Sequence, residues 1–190
     1  EYRRQRQMCI RDRVNAPTST GDQTACDNGQ TLTANANTDQ TDEVIDWYDA
    51  PMSGNLISTP NQNGVGSITY YAEARNTINS CISSTRTPVK LTIEQTPTVT
   101  TTDAPTCTPS LTQYTLDVNV TPGATLTTTD GTVVNNGADN WTIIVDAGND
   151  ITITATLNNC NKTLAITAPN CSCPLVNAPT STGDQTACDN

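Results

Sequence analysis

Residues 67–75 read SITYYAEAR and residues 88–94 read PVKLTIE. In the first stretch Ile68, Tyr70, Ala72 and Ala74 fall on one face. In the second, Val89, Leu91 and Ile93 do. A period of two is the signature of a half-buried β-strand. The same alternation recurs outward in both directions. EVIDWYD (43–49) places Val44, Asp46 and Tyr48 on one face and Ile45 and Trp47 on the other. LTQYTLDVNV (111–120) turns Tyr114, Leu116, Val118 and Val120 one way and Gln113, Thr115, Asp117 and Asn119 the other. WTIIVDA (141–147), ITITATL (151–157) and TLAITAP (163–169) follow suit. TLTANAN (31–37) reads as a further strand, and Asp130-Gly131 as a two-residue hairpin turn between TLTTT and TVV. No stretch carries a helical period. Short strands separated by turn residues predict an all-β chain of antiparallel sandwiches.

A repeat organises these strands. Residues 14–28 read VNAPTSTGDQTACDN, and residues 176–190 repeat them without a change, an offset of 162 residues. One period holds two unlike modules, 14–95 and 107–175. A Pro/Thr-rich stretch at 96–106 between them reads as a semi-rigid linker. Residues 176–190 open the next copy, so the repeat is expected to continue in a longer parent protein. Residues 1–13, EYRRQRQMCIRDR, break the pattern. They hold five of the nine basic residues and resemble translated sequencing-adapter sequence. CSCPLV at 171–176 faces CIRDRV at 9–14, and only the cysteine and the valine agree. The leader is therefore read as foreign to the repeat, not as a functional basic arm.

Composition narrows the function. The formal charge is −10, and after residue 13 four basic residues face seventeen acidic ones. Such a body repels phosphate backbones, which speaks against a nucleic-acid partner. No apolar run reaches membrane-spanning length, so no membrane insertion is expected. The chain has no His. Ser-His-Asp and Cys-His catalysis therefore fail, and no phosphate-binding or dinucleotide fingerprint occurs. The chain is read as a non-enzyme without a cofactor. Asp39, Asp42, Glu43, Asp46 and Asp49 cluster around one strand. They read as a solvated acidic loop ahead of a paired-carboxylate or weak calcium site. Trp47, Tyr48, Tyr70 and Tyr71 form a candidate sugar-stacking platform, with core packing as the alternative.

Eight cysteines in a Thr-rich chain of thin cores point to disulfides and an oxidising compartment. Each period supplies Cys26, Cys81, Cys107, Cys160, Cys171 and Cys173, and Cys188 repeats Cys26. Cys26 with Cys81 is the expected pair of the first module, worth about 4 kcal/mol by loop closure. In the second module, parallel first and last strands would bring Cys107 to Cys160, leaving Cys171 with Cys173. Cys107 with Cys171 or Cys173 is the rival, because a CxC bridge is geometrically tight. Zinc held by Cys107, Cys160, Cys171 and Cys173 matches no zinc-ribbon spacing.

The first module resembles the immunoglobulin-like repeat domains of large Bacteroidota cell-surface and gliding-associated proteins. NAPTSTGDQTAC, GQTLTANA, IDWYDAPMSGN, SITYYAEARN and SCISSTRTPVKLTI carry that resemblance across nearly the whole module. The second module, with Tyr114, GTVVNNG, NWTI and APNCSCP, is similar to a β-module that sits between such domains. The resemblance implies two tandem Ig-like β-sandwiches, secretion to the cell surface or medium, and a structural role as a stalk or surface fibre. Neighbouring copies or repeats would be the partners. It supplies no catalytic residues. An adhesin or carbohydrate-binding module recognising surface glycans is the alternative. The chain departs from antibody domains, because no cysteine stands two residues after Tyr70 or Tyr71.

Overall fold

A computed structural model describes residues 13–172. The chain divides into two compact units, one ending at Gln95 and the other starting at Thr96. All assigned elements among the described residues are strands.

The first unit contains β1 (Thr18–Ser19), β2 (Gln23–Cys26), β3 (Leu32–Thr33), β4 (Ala36–Asn37), β5 (Glu43–Tyr48), β6 (Leu56–Ile57), β7 (Asn61–Gln62), β8 (Gly66–Asn76) and β9 (Thr87–Glu94). Its main sheet runs β2-β9-β8-β5-β6, and two small ladders, β1-β4 and β3-β7, complete it. All pairings are antiparallel except β2 against β9, where Gln23 faces Leu91 and Cys26 faces Glu94 in parallel. TLTANAN is not one strand. It splits into β3 and β4, which pair with β7 and β1 respectively. The longest strands are the ones with clean alternation. Their inner faces bury Tyr70, Val89 and Leu91 with Ala34, and Leu32, Trp47 and Ile57 pack against them. A separate small cluster of Val14, Ala74 and Cys81 closes one end.

The second unit contains β10 (Val99–Thr101), β11 (Thr106–Cys107), β12 (Gln113–Val120), β13 (Thr125–Thr128), β14 (Thr132–Gly137), β15 (Asn140–Asp146), β16 (Ile151–Leu157) and β17 (Cys160–Ile166). One sheet runs β10-β12-β15-β14 with β11 also on β12, and the other runs β13-β16-β17. Thirteen buried residues form a single core between them. Tyr114, Ile143, Val145, Ile153 and Ala155 are completely enclosed.

Two expectations are corrected here. The stretch read as a linker supplies β10 and β11. Val99 faces Val120, and Thr106 faces Thr115, so these residues are strands of the second unit. Pro-flanked Thr-rich sequence looks like linker because the partner that orders it lies some way along the chain. Asp130-Gly131 is a turn, but it is not a hairpin. β13 pairs with β16 and β14 with β15, so this turn carries the chain from one sheet to the other. Gly131 has φ +88°, and an added Cβ would run into the Ile144 carbonyl. Two-residue hairpins with both residues at positive φ are found instead at Ala138-Asp139, between Gly137 and Asn140, and at Asn158-Asn159, between Leu157 and Cys160.

Candidate functional site

The four aromatics of the predicted platform do not share a surface. Alternation along β5 and β8 divides them. Trp47 and Tyr70 turn inward, and the Tyr70 hydroxyl donates to the Asn61 carbonyl at 2.8 Å. Tyr48 and Tyr71 turn outward as direct cross-strand partners. Tyr48 is covered, because the Arg86 guanidinium carbon lies 3.4 Å from its ring centroid.

That arginine is the centre of the best-built site of the first unit. On the outer face of the sheet, Arg86 Nε donates to Glu73 Oε2 at 3.0 Å. Both side chains are only 10% exposed, which is unusual for an outward-facing pair. The reason is a loop folded over them. Arg86 Nη1 donates to the carbonyls of Ala50 at 2.8 Å and Ser53 at 2.5 Å. Asp49 holds the loop's base by accepting from the Asn55 backbone N–H at 2.7 Å and from Asn55 Nδ2 at 2.8 Å. These hydrogen bonds pull the Asp49 carboxyl below the usual carboxylate range. Gly54 sits at φ +79°, where an added Cβ would strike Asp49 and Ala50. Burial pushes the Tyr48 phenol up, helped by the charge of Glu73 and its hydrogen bond to the phenol.

Between this loop and residues 82–86 lies a cleft of about 280 Å³, lined by Met52, Ile82, Ser83 and Arg86 among others. Ser83, Glu73 and Arg86 of its lining are already engaged. Ser83 Oγ donates to the Thr85 carbonyl and accepts from the Ala74 N–H. The guanidinium is consumed by Glu73, two carbonyls and a ring. The cleft therefore offers an apolar mouth of Met52 and Ile82 over a spent ion pair. Neither a nucleophile with an adjacent base nor an unoccupied charge stands in it.

The acidic residues are dispersed by their partners. Asp39 accepts from Asn15, Asp42 from Asn76, and Asp46 from Arg75. Asp46 in turn raises the Arg75 pKa. Among the described residues no group of three or more His, Cys, Asp or Glu side chains is placed to hold a metal.

The cysteines correct two pairings. Cys107 bonds Cys171, with an S–S distance of 2.10 Å and a Cα–Cα distance of 5.6 Å, and not Cys160. β11 runs antiparallel to β12 and sets Cys107 opposite Tyr114. β17 starts at Cys160 and ends at Ile166, so the chain beyond it returns to the Gln113 end, where Cys171 Sγ lies 3.9 Å from the Gln113 carbonyl. The rival pairing thus holds, and Cys171 is not available to Cys173, which lies outside the described residues. A zinc site that needs the Cys107 and Cys171 thiolates falls with it. Cys26, Cys81 and Cys160 are also disulfide-bonded. Cys26 and Cys81 are not each other's partners. Cys26 lies beside Glu94, level with Gly66, whereas the Cys81 carbonyl accepts from Asn76 at the far end of β8. That length of strand is about 30 Å, several times what a disulfide spans.

Residues 15–94 match the family described as "Ig-like domain CHU_C associated". The first module is therefore similar to the Ig-like domains of this family. The second is a β-sandwich by its own two sheets and core. No curated protein matches the chain. Among solved structures, the N-terminal eight Ig domains of Down syndrome cell adhesion molecule are 12% identical over 82% of this chain, with a TM-score of 0.48. This chain spans about a quarter of that one, the matched share being 24%. Fibronectin(III)-like modules of CbhA from Clostridium thermocellum are 14% identical over 80% of this chain and 93% of theirs, with a TM-score of 0.34. Dpr2 Ig1-Ig2 in complex with DIP-Theta Ig1-Ig3 is 15% identical over 81% of this chain and 64% of that one, with a TM-score of 0.28.

Arg86 and Glu73 were not among the residues singled out from sequence. A signal existed: Glu73 and Arg75 occupy the polar face of SITYYAEAR, opposite the polar face of EVIDWYD. What the pattern could not supply was the loop that buries one of those charges.

Proposed function

We propose that this chain is a structural repeat of an extracellular fibre, filament or surface stalk, secreted and non-catalytic, whose partners are neighbouring copies of itself. The observation that carries this reading is the fifteen-residue identity at an offset of 162 residues. Its first copy opens the Ig-like domain and is built into it: Val14 is buried and β1 and β2 pair within the module. A sequence needed at the start of each module, and repeated intact, suits serial assembly. Stapling by disulfides supports an oxidising, extracytoplasmic location. The alternative, an adhesin or glycan-binding module, is left with the half-buried Tyr71 as the member of that aromatic group neither packed inward nor covered by Arg86. Trp47 and Tyr70 pack inward and Tyr48 lies under Arg86.

Electron microscopy of purified protein carrying several copies tests the reading. Filaments with a regular axial spacing are expected; isolated flexible beads would overturn them. A glycan array read against Tyr71→Ala tests the alternative, and glycan binding lost in that variant would favour it.

A further inference from the structure

The outer face of the sheet β13-β16-β17 is built unlike any other in the molecule. Inward, Leu126, Ile151, Ile153 and Ala155 are buried in the core. Outward, the residues stand in register. Thr156 faces Thr125 on one side and Asn161 on the other. Thr154 faces Thr127 and Thr163. Thr152 faces Ala165 in a third row. Six of these eight outward residues are threonines, and none is charged, in a chain of net charge −10. Lys162 is the one charged residue of the three strands, and it sits opposite the buried Ala155, on the alternate face. Thr125 and Thr127 repeat one arrangement. Each hydroxyl donates to the carbonyl of its cross-strand partner, Thr156 at 3.4 Å and Thr154 at 3.5 Å. Adjacent strands lie about 4.8 Å apart, and like-facing residues about 6.7 Å apart along a strand. The result is a rectangular net of hydroxyl and methyl groups, with spacings close to lattice repeats of hexagonal ice. With only one strand on each side of β16, the twist away from it is about 20–25° either way. No aromatic ring stands on these strands to stack on a sugar.

We propose that this face adsorbs to crystalline water, with Thr152, Thr154 and Thr156 as the central rank of contacts. The hydroxyls bond to lattice waters, and the methyls order the water held between them. A charged group would keep its own hydration shell and break that order, so an uncharged net is what an ice surface requires. Stiffness matters for the same reason. β-Branched side chains fixed at χ1 lose little freedom on adsorption. The inference goes beyond the fibre reading and does not rest on it, because one module carries the whole face.

The test measures thermal hysteresis and partition into slowly growing ice for the full 190-residue chain, for Thr154→Lys and for Thr132→Lys. Thr132 is exposed on β14, in the other sheet, and serves as the control. The native chain and Thr132→Lys should both show hysteresis and enrichment in the ice. Thr154→Lys should lose both, down to the level of a protein that does not bind ice. Near-ultraviolet circular dichroism checks that the second module is folded, and Thr127→Lys, at an exposed flanking position, replaces Thr154→Lys if it is not. A native chain with neither hysteresis nor enrichment would overturn the proposal, as would full activity in a folded Thr154→Lys. Retention on cellulose or chitin, or a dimer in sedimentation, lost in Thr154→Lys and without ice adsorption, would assign the face to a polysaccharide or a second copy instead. Fibres seen by microscopy without ice adsorption would remove this inference and leave the structural role standing. Ice adsorption without fibres would do the reverse.

Discussion

The two modules reach the same architecture by different means. The second closes thirteen buried residues between two sheets and adds the Cys107–Cys171 bond. The first divides its apolar interior into two small clusters. Its extra order comes from outside the sheet, where Arg86 ties Glu73, Tyr48 and the loop at 50–53 into one clamp. Among the described residues, seven of the eight exposed large hydrophobics also lie in the first module. A module with a full core can stand alone. The contrast makes separate predictions for each, best read by hydrogen exchange, which reports on both in one experiment.

The largest effect belongs to the second module's staple. Replacing both Cys107 and Cys171 by Ser frees a loop with a sequence separation of 64. The chain-entropy relation gives a loss of about 4 kcal/mol. Protection in β12 and β15 should fall while β8 and β9 keep theirs. Equal loss in both modules would erase the distinction. Next comes the core. Ile143→Ala empties a fully enclosed site and should cost about 3 kcal/mol. Leu91→Ala in the first module should cost less, because a smaller cluster collapses more readily into the vacated space. Urea titration of each variant provides the comparison.

The clamp gives the first module's own test. Arg86→Ala leaves the Glu73 carboxylate without its guanidinium under the loop. Breaking a buried pair costs more than removing it whole. Here the loop can open and hydrate the orphan, so the expected loss is about 2 kcal/mol, with loss of protection centred on residues 49–55. The double variant Glu73→Leu with Arg86→Met should recover most of it. A double variant no better than Arg86→Ala would show that the loop carbonyls, not the charge pair, hold the site.

These differences mark where the sequence was readable. β5, β8, β9, β12, β15 and β16 follow from the period of two, because each needs only its own residues to define a face. The inward and outward split of Trp47, Tyr48, Tyr70 and Tyr71 is equally local. What depended on partners remote in the chain was lost. Val99–Thr101 looks like linker until Val118–Val120 orders it. Asp130-Gly131 has hairpin chemistry, but its flanking strands find better partners in opposite sheets. The assumed Cys107–Cys160 and Cys26–Cys81 pairs failed for the same reason. Strand direction decides which cysteines meet, and β2 running parallel to β9 sends Cys26 away from Cys81.

The smallest prediction compares the phenols of the two modules. Tyr114 is enclosed in the second core, and its hydroxyl donates to the Asn149 carbonyl at 2.7 Å. Burial first, then the nearby Asp150 and Asp130 charges, raise its pKa. Tyr48 is raised too, by burial and then by Glu73, but Arg86 opposes the shift. In both, the folded state favours the neutral phenol. The stability this gives is therefore intact below the unfolded tyrosine value of about 10 and is lost as pH rises through the folded value. Alkaline titration should loosen both modules. Tyr114→Phe should cost about 1 kcal/mol at neutral pH through the lost hydrogen bond. It should also flatten the alkaline limb of the second module alone, leaving that of the first. If the second module's alkaline limb is unchanged in Tyr114→Phe, the enclosed phenol is not what titrates there, and its core is wetter than the packing of Tyr114 implies.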